Sequence, residues 1–388
     1  MTDPRSFASA FASELPSMLA MIERVVSIDS GTYHAPGVNA VIDTFAAFLD
    51  SAGFTIERAP LPGRGDQLTA RRVLGNGQRL LVLGHADTVW PAGTLAEWPF
   101  ANDGKFLTGP GVGDMKSCVV MALHALRLLL KEPLPGIGSI TVLIVPDEEI
   151  GSPGSRAWIE REARASDACL TLEPCRPEGK VVVGRGAVGA LYVRASGITA
   201  HVGPARELGA SAISALAALV APLEALTDKA RGVGTSVGIF RGGAARQVIP
   251  AEAEFHLDLR AADQAGADWP LAEARRVAET KPTDPRVNVS VEGGFYRPPF
   301  PTRAGTRALF AMAQRIGAAI GTPVGEVVSA GGSDGSFAAA IGVPTLDGLG
   351  PICHESCSRR ERVQVDSIVP RGALFAGLIL AVGSEGVR

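Results

Sequence analysis

The chain has 388 residues, of which 46% are hydrophobic and 20% charged, so it is long enough for two domains with a large core. Its 37 basic and 40 acidic residues give a net charge of −3. This balance argues against a strongly basic nucleic-acid surface, and we expect no nucleic-acid partner. The five cysteines are odd in number and widely spaced. We therefore expect no disulfide framework, and we expect the protein to be in a reducing compartment.

The chain shows no obvious targeting or membrane segment. Near the N-terminus, Asp3, Glu14 and Glu23 interrupt the apolar residues, unlike the apolar region of a signal peptide. The least polar stretch, 208–223, contains serines and Pro222 and is short for a membrane span. It is predicted to be a buried or half-buried helix. We therefore expect a cytoplasmic protein without a membrane partner.

Helical and extended patterns alternate in the first half of the chain. The spacing of apolar residues predicts helices over 38–52 and 116–131. Continuous apolar runs predict strands at 79–83, 139–145 and 168–172. Continuous apolar strands separated by helices indicate a mainly parallel sheet that helices cover on both faces.

The middle of the chain has a different pattern, which ends where the first pattern resumes. The predicted elements of the middle part are a hairpin of strands 180–185 and 189–196, helix 208–226, strands 236–241 and 252–260, helix 269–280 and strand 287–292. The alternating pattern then resumes with helix 304–318, turn 331–335, strand 343–346 and helix 367–383. The middle set suits a ferredoxin-like α+β sandwich inserted in a larger domain. We predict an α/β domain at 1–180 and 294–388 with an inserted α+β domain at 181–293.

Two short motifs offer one imidazole and two carboxylates near predicted strand ends, where open α/β sheets bind ligands. His85 and Asp87 project to the same side of an extended segment. One of them can therefore bind a metal while the other orients it. Asp114 lies on a glycine-rich turn before a helix, where a helix N-cap is the alternative interpretation. The spacing of a phosphate-binding loop is absent there.

Further carboxylates follow the next two strands. Asp147, Glu148 and Glu149 follow one apolar strand, and Glu173 follows another. Adjacent carboxylates repel one another, and neighbours in an extended chain point to opposite sides. One can therefore bind a metal while the other acts as a general base. Such mixed nitrogen and oxygen ligands suit Zn²⁺ first, with Mn²⁺ or Co²⁺ possible, and a bridging carboxylate can hold two metals around one water.

Seven segments, in order along the chain, resemble the dizinc aminoacylase/carboxypeptidase family. They are LVLGHADTVWP, GPGVGDMKS, VPDEEIGSPGSR, LEP, GITAHVG, IPAEAEFHLDLR and AGGSDGSFAA. That family includes glutamate carboxypeptidase, acetylornithine deacetylase, succinyl-diaminopimelate desuccinylase and the tripeptide aminopeptidases. The resemblance covers nearly the whole chain, and IDSGTYHAPGVNAV is most similar to the glutamate carboxypeptidase branch.

The resemblance implies a zinc-peptidase fold with two metal ions in each subunit, a catalytic domain at 1–180 and 294–388, and a lid and dimerisation domain at 181–293. His85 and Glu173 match ligands of one zinc, and Asp114 matches the carboxylate that bridges both. Glu149 matches a ligand of the second zinc. Asp87 matches the residue that orients His85.

The resemblance also implies catalytic and substrate-binding roles. Glu148 matches the general base that deprotonates the bridging water and then protonates the leaving amine. His201 matches a histidine that reaches the partner subunit's active site and stabilises the oxyanion, which implies a homodimer. Arg260, Arg297 and Lys180 fall where the glutamate carboxypeptidase branch places cations near substrate carboxylates.

The sequence departs from the family at two positions. Gln247 occupies a position where the family commonly has asparagine. The family's last zinc ligand is a histidine followed four residues later by Glu, which puts Cys357 in its place because Glu361 follows. Either Cys357 binds as a thiolate, or the loop shifts and His354 binds, or the second site is incomplete.

These residues predict a metal-dependent amidohydrolase of the carboxypeptidase type. Its expected substrate is a small peptide or an N-acyl amino acid with a free carboxylate. An N-deacylase of the acetylornithine type is the nearest alternative, since it needs the same chemistry with a different pocket. A catalytically silent binding protein is a further alternative, which the departure at Cys357 favours and the presence of a base such as Glu148 disfavours. A dimetal phosphatase would need cationic phosphate ligands that the sequence does not clearly show.

Overall fold

The structure is a computed structural model that describes residues 4–280, 282 and 284–387. The chain divides into two units. The larger unit comprises Met1–Gly184, Pro301–Val328 and Ser333–Arg388, and the smaller comprises Arg185–Phe300 and Ser329–Gly332. The assignment of the inserted segment as a lid and dimerisation domain stays a prediction.

Helices and strands are numbered here in chain order within the described residues. The α-helices are α1 Pro4–Ala12, α2 Leu15–Val26, α3 Ala35–Ser51, α4 Thr94–Glu97, α5 Ser117–Leu129, α6 Arg156–Arg164, α7 Ala212–Glu224, α8 Gln264–Ala278, α9 Ala304–Ala319, α10 Gly335–Ala340 and α11 Ile368–Glu385. The strands are β1 Thr55–Leu61, β2 Gly65–Val73, β3 Gln78–His85, β4 Ala101–Asn102, β5 Phe106–Thr108, β6 Ile137–Val145, β7 Ala168–Thr171, β8 Lys180–Arg185, β9 Ala187–Ser196, β10 Ala200–His201, β11 Val233–Gly242, β12 Val248–Ile249, β13 Glu252–Ala261, β14 Asn288–Arg297, β15 Gly325–Ser329, β16 Thr345–Leu346, β17 Cys353–His354 and β18 Arg362–Gln364.

The larger unit contains a six-stranded sheet in the order β1-β2-β6-β3-β7-β16. Strands β6, β3, β7 and β16 are parallel, and β1 and β2 pair antiparallel at one edge. Helices cover both faces, as successive residues of β3 show. Leu80 and Val82 pack in one hydrophobic cluster, whereas Leu81 and Leu83 pack in another. Both faces being buried explains the continuous apolar runs, and the predicted fold class is confirmed.

Helix α11 is the central helix of one face. It packs against α1, α5 and α9. The segment Val365–Glu385 is long and apolar enough to cross a membrane by length and composition, but 72% of its most apolar window is buried inside the fold. Its apolar residues are therefore accounted for as core residues of the larger unit.

The smaller unit has the β-α-β-β-α-β order of a ferredoxin-like fold. Its antiparallel sheet has the order β11-β13-β9-β14, and α7 and α8 pack against it. Buried and exposed residues alternate along β13, from Glu252 to Ala261. This alternation buries one face against the two helices and leaves the other face more open.

One predicted strand pairing is wrong. The sequence predicted a hairpin of 180–185 and 189–196, but β8 pairs with β15, while β9 pairs with β13 and β14. Val181 and Val183 are buried in the core of the larger unit, whereas β9 alternates buried and exposed residues. The two strands therefore serve different cores. The sequence analysis also did not identify α1, α2 or the hairpin of β1 and β2.

The long apolar helix is shorter than predicted. It begins at Ala212, because the hydroxyl of Ser211 accepts a hydrogen bond from the N–H of Ser214 at 3.2 Å and caps the first turn. The preceding residues, Arg206–Leu208, form a separate 3₁₀ turn. The predicted start at 208 was therefore wrong by one helical turn.

Candidate metal centre and active site

Three parallel strands of the larger unit carry acidic or histidine residues at the same edge of the sheet. Strand β3 ends at His85, and Glu148 and Glu149 follow β6. Glu173 lies two residues beyond β7. Because these strands run parallel, their carboxyl ends meet, and their functional side chains are brought to one edge.

A fourth group comes from a smaller sheet. Strand β5 leads into the glycine-rich turn that carries Asp114 before α5. Strand β18 pairs antiparallel with both β5 and β17, with Val363 opposite Leu107. This pairing places the loop between β17 and β18, which carries Cys357 and Glu361, beside the turn of Asp114.

Three of the predicted metal ligands lie together. One ligand atom from each of His85, Asp114 and Glu149 lies within 4.8 Å of the other two. Nε2 of His85 is 3.2 Å from Oδ1 of Asp114. Glu173 and Cys357 are outside this group of three, although the charges of Asp114 and His85 act on Glu173.

Asp87 orients the residues around it. Nδ1 of His85 is 3.0 Å from the main-chain oxygen of Asp87 and 3.4 Å from its Oδ1. Both partners only accept hydrogen bonds, so Nδ1 is the donor and Nε2 is the atom left to bind a metal. The Asp87 carboxylate also accepts hydrogen bonds from the N–H groups of Glu148 and Glu149 at 3.1 and 3.2 Å. It therefore fixes the turn that contains Glu148 and Glu149 as well as the histidine.

Two positioning residues were missed by the sequence analysis. The hydroxyl of Thr32 donates to Oδ2 of Asp87 at 2.7 Å. Oε1 of the buried Glu361 accepts from the N–H groups of Gly113 and Asp114 at 2.7 and 3.1 Å. Its Oε2 accepts from the N–H of Cys357 at 3.0 Å. The sequence analysis used Glu361 only to place Cys357 at the position of the family's last histidine ligand. No local pattern indicated the main-chain partners of Glu361 or the contact of Thr32 with Asp87.

Cys357 and His354 have different surroundings. The thiol of Cys357 donates to Oδ2 of Asp114 at 3.3 Å. Burial raises the pKa of this thiol, and the negative charge of Asp114 raises it further. The ring of His354 packs edge-on against Phe106 at 5.9 Å, and its Nε2 has no hydrogen-bond partner among the described residues. The geometry thus brings Cys357 to Asp114, while the choice of ligand stays a prediction.

The electrostatics of the cluster fit a bound cation. Burial raises the pKa of Glu149 and of Glu173, and the charge of Asp114 raises both further. Burial disfavours charged His85, but hydrogen bonds to Asp114 and Asp87 prevail and raise its pKa. Oε1 of Glu149 is buried without a hydrogen-bond partner among the described residues. A divalent cation would offset the repulsion and give this oxygen a partner, so the residues fit a metal.

Glu148 and Lys180 also lie in the larger unit, outside this cluster of ligand atoms. Glu148 is buried and begins the short turn Glu148–Ile150. Its charge acts on both Glu149 and Glu173. Lys180 is half-buried, and its side chain lies against Gly325.

The other predicted residues lie in the smaller unit. His201 and Gln247 are exposed. Arg260 is held by Asp258 at 2.7 Å and reaches the main-chain oxygen of Ala330 at 3.4 Å. Arg297 is buried. The roles of these four residues stay predictions.

A buried arginine of the smaller unit was also missed. Arg185 donates to the main-chain oxygens of Gly331 and Gly332 at 3.0 and 3.1 Å. The side chain of Arg297 lies so close to Gly332 that a Cβ at this glycine would be 2.3 Å from its Cδ. The side chains of Arg185 and Arg297 therefore both contact the turn that contains Gly331 and Gly332. The sequence analysis predicted the turn but not these contacts.

Glu361 offers a test of how the loop of Cys357 is held. We expect Glu361→Gln to lower the free energy of unfolding by about 1–3 kcal/mol, because the amide NH₂ would replace an oxygen that accepts a buried N–H. Glu355→Gln is the matched control. Its ion pairs with Arg360 and Arg362 are exposed, so little change is expected. Denaturant unfolding followed by circular dichroism measures both, and equal losses would contradict the positioning role.

Comparisons with known proteins agree on one family. A sequence model of the peptidase family M20/M25/M40 matches residues 81–381. Carboxypeptidase G2 of Pseudomonas sp. (strain RS-16) is 32% identical over 380 residues, which cover 97% of this chain and 91% of that protein. Succinyl-diaminopimelate desuccinylase of Rhizorhabdus wittichii is 30% identical over 308 residues, covering 72% of this chain and 78% of that enzyme.

Solved structures share the fold. The aminopeptidase PepT from Bacillus cereus superposes with a TM-score of 0.74 at 21% identity, covering 95% of this chain and 98% of that one. An M20 family metallo-carboxypeptidase from Sulfolobus solfataricus gives 0.77 at 16% identity, with 95% and 99% covered. At these identities the likeness is evidence for the fold alone.

Proposed function

The chain belongs to peptidase family M20/M25/M40 and is a metal-dependent hydrolase of amide bonds, and from this premise we propose that it is a carboxypeptidase-like enzyme. Its substrate is an N-acyl amino acid or a small peptide with a free carboxylate next to the scissile amide. The observation that carries the proposal is the convergence of His85, Asp114 and Glu149 beside the buried Glu148. The name of the carboxypeptidase relative that spans 97% of this chain supports this type of substrate.

We propose two divalent metal ions in each subunit, most readily Zn²⁺, with Mn²⁺ or Co²⁺ as alternatives. His85, Asp114 and Glu173 would hold one ion. Asp114, Glu149 and Cys357 would hold the other, with Asp114 shared. The contact of 3.3 Å between Cys357 Sγ and Asp114 Oδ2 supports Cys357 over His354 as the last ligand.

In this proposal the metal ions, when bound, lower the pKa of water and polarise the scissile carbonyl. Glu148 accepts a proton from the attacking water and delivers it to the leaving amine. Asp87 holds His85 in the tautomer that binds metal through Nε2. His201 donates to the oxyanion that forms at the carbonyl. Gln247, whose main-chain oxygen accepts a hydrogen bond from the N–H of Val202 at 3.1 Å, is the proposed substrate contact beside it.

Arg260 and Arg297 would bind the substrate carboxylate, and Lys180 would assist them. Arginine suits this task because its guanidinium pairs with both oxygens of a carboxylate. An N-deacylase with another acyl preference remains the second candidate, because the desuccinylase relative matches 72% of this chain.

The proposed substrate class can be tested with paired substrates. We expect replacement of the α-carboxylate of an N-acyl-glutamate, the one next to the scissile amide, by a carboxamide to lower kcat/KM at least about tenfold. The reason is that a charge-assisted hydrogen bond is lost. Arg260→Gln should reduce the difference between the two substrates, whereas Arg241→Gln, an exposed change on β11, should not. Equal rates with both substrates in the wild type would rule out carboxylate recognition.

We also propose that the enzyme is a homodimer in which His201 acts on the partner subunit. His201 is exposed, so it is available to a second molecule. We expect Glu148→Gln and His201→Ala each to be nearly inactive alone. A mixture should regain up to about a quarter of wild-type activity, since random exchange forms one intact site in half of the dimers. No recovery, with subunit exchange demonstrated, would contradict action in trans.

A cytoplasmic location is part of the same proposal. The five cysteines are all free, and four of them are buried. Free buried thiols suit a reducing compartment.

A further inference from the structure

Arg371 is a fully buried cation near the N-terminal end of the apolar helix α11. Burial of a charge costs free energy unless partners replace its hydration. The N-terminal end of a helix also has a positive partial charge, which disfavours a cation there. The proposed hydrolysis does not use this residue. Its burial is therefore explained only by what its side chain contacts.

The partners of Arg371 are main-chain oxygens. Its Nε donates to the oxygen of Gly350 at 3.0 Å, and its Nη2 donates to the oxygen of Gly348 at 2.6 Å. Both hydrogen bonds are charge-assisted, and the planar guanidinium makes them at a fixed spacing. Its Nη1 is buried without a hydrogen-bond partner among the described residues. The hydrogen bonds of this side chain thus hold segment 348–350.

Segment 348–350 lies beside the main chain of the candidate ligand Glu173. The N–H of Gly350 donates to the main-chain oxygen of Glu173 at 2.9 Å. The N–H of Cys175 in turn donates to the oxygen of Pro351 at 3.0 Å. These bonds continue the parallel pairing of β7 and β16 beyond the ends of the two strands. Glu173 therefore lies in a short ladder that Arg371 fastens from the other side.

The same segment has little room to move. A Cβ at Gly350 would lie 2.3 Å from Sγ of Cys118 on α5. Gly348 has a φ of +72°, in the left-handed region that favours glycine. The segment is thus packed against α5 on one side and bonded to Glu173 on another. A shift of the segment would therefore also shift the main chain of Glu173.

The other part of the candidate metal centre is held in a different way. Glu361 accepts from the N–H groups of Gly113 and Asp114 at 2.7 and 3.1 Å, and from that of Cys357 at 3.0 Å. These bonds do not pass through segment 348–350. Loss of Arg371 should therefore affect the ion held by Glu173 more than the ion held by Cys357.

We propose that Arg371 is a positioning residue of the metal centre, which fixes the main chain of Glu173 through segment 348–350 and so places this ligand before an ion binds. The inference rests on the proposed function, which makes Glu173 a metal ligand. Arg371 acts through Glu173 and is not a catalytic residue. Loss of a group that orients a metal ligand commonly weakens metal binding by about 10- to 100-fold.

Hydrogen exchange of the metal-free protein tests the link without metal or activity. We expect Arg371→Lys to speed exchange of the Gly350 N–H at least about tenfold, because an ammonium group lacks the fixed fork that holds both carbonyls. The N–H groups of Gly113 and Asp114, which Glu361 holds, should exchange within about twofold of the wild-type rate. Mass spectrometry of peptides measures both. Equal acceleration at both places would show general loosening and overturn the proposal.

Titration with Zn²⁺ in competition with a chelator tests the effect on the metal centre. The wild type should bind two equivalents. Arg371→Lys should raise the Kd of one equivalent at least about tenfold and leave the other within about threefold. If Arg371→Lys does not unfold cooperatively, Arg371→Gln takes its place with the same expectations, since its amide keeps an N–H donor.

A double-mutant cycle tests whether Arg371 acts through Glu173. Glu173→Asp keeps the carboxylate but withdraws it from the metal, so it should weaken the same Zn²⁺ equivalent as Arg371→Lys. In the Glu173→Asp background, Arg371→Lys should weaken that equivalent by less than about threefold further, because coupled residues are not additive. Full additivity, or weakening of the other equivalent by Arg371→Lys, would overturn the proposal.

Glu162→Gln is the matched control for loss of stability. Glu162 is likewise a buried charge of the larger unit, and it pairs with Arg71 at 2.5 Å and Arg161 at 2.8 Å. Its substitution should destabilise the fold but leave both Zn²⁺ affinities within about threefold of the wild type. Equal Zn²⁺ affinities in Glu162→Gln and Arg371→Lys would overturn the positioning role.

Failure of the proposed function would give a different result. If the wild type binds no Zn²⁺, the metal centre is rejected and the positioning proposal is rejected with it. If the wild type binds two equivalents and Glu173→Asp weakens one, but Arg371→Lys weakens neither, the metal centre stands and only the positioning proposal is overturned.

Discussion

Glu148→Gln is expected to lower kcat by about 10³- to 10⁴-fold while the protein keeps its full metal content. The carboxylate is buried at the start of a turn whose N–H groups are held by Asp87. Glutamine preserves the shape of the side chain and leaves these main-chain hydrogen bonds intact. It cannot accept the proton from the attacking water or return it to the leaving amine, so the loss falls on the chemical step.

The neighbouring Glu149→Gln provides the matched control for this prediction. Glu149 belongs to the group of candidate ligand atoms within 4.8 Å of one another, so the same substitution should weaken metal binding. Metal content is measured by atomic absorption, and kcat is measured with saturating substrate. Loss of one metal equivalent from Glu148→Gln would instead assign Glu148 as a ligand and remove it as the general base.

Cobalt substitution is expected to reveal the last metal ligand. If Cys357 binds the metal, Co²⁺-loaded wild-type protein will show an intense near-ultraviolet band from sulfur-to-metal charge transfer. Metal binding displaces the thiol proton. The thiol is directed to Asp114 Oδ2, at 3.3 Å. Cys357→Ser should therefore lose the band and one of the two metal equivalents.

His354→Ala is the control, since its ring packs on Phe106 and the band should persist. Cys357→His should abolish the band but keep both metal equivalents, because imidazole is also a good zinc ligand. Treatment of the metal-free protein with a thiol reagent should lower the activity that the wild type recovers on addition of Zn²⁺, and should have less effect on Cys357→His. Full metal content in Cys357→Ser together with loss of one equivalent in His354→Ala would show that the loop places His354 at the metal.

Local patterns in the sequence were sufficient for the main features of the catalytic sheet. Apolar runs without alternation predicted parallel strands buried on both faces, and the structure has them at β3, β6 and β7. Parallel strands present their carboxyl ends at one edge, so the convergence of His85 with Glu149 followed from the strand positions alone. The family resemblance came from the same short motifs.

Features that depend on distant parts of the chain were not predictable in this way. Strand β8 was paired with its neighbour in sequence, whereas its true partner is Gly325–Ser329. Glu361 accepts hydrogen bonds from the turn of Asp114 across a separation of 248 residues, and Thr32 reaches Asp87 across 55. Neither contact leaves a periodic or local signal.

The sequence by itself determined the types of elements, the order of the motifs and the chemistry of the candidate ligands, because these depend on residue type and short-range spacing. Only the tertiary structure decided what holds those residues in place. It brought Glu361 to the main chain of both Asp114 and Cys357, and it joined Tyr33, Trp90 and Ile150 into one pocket. The physical reason is that hydrogen bonds and apolar contacts act through space, and folding closes long loops to form them.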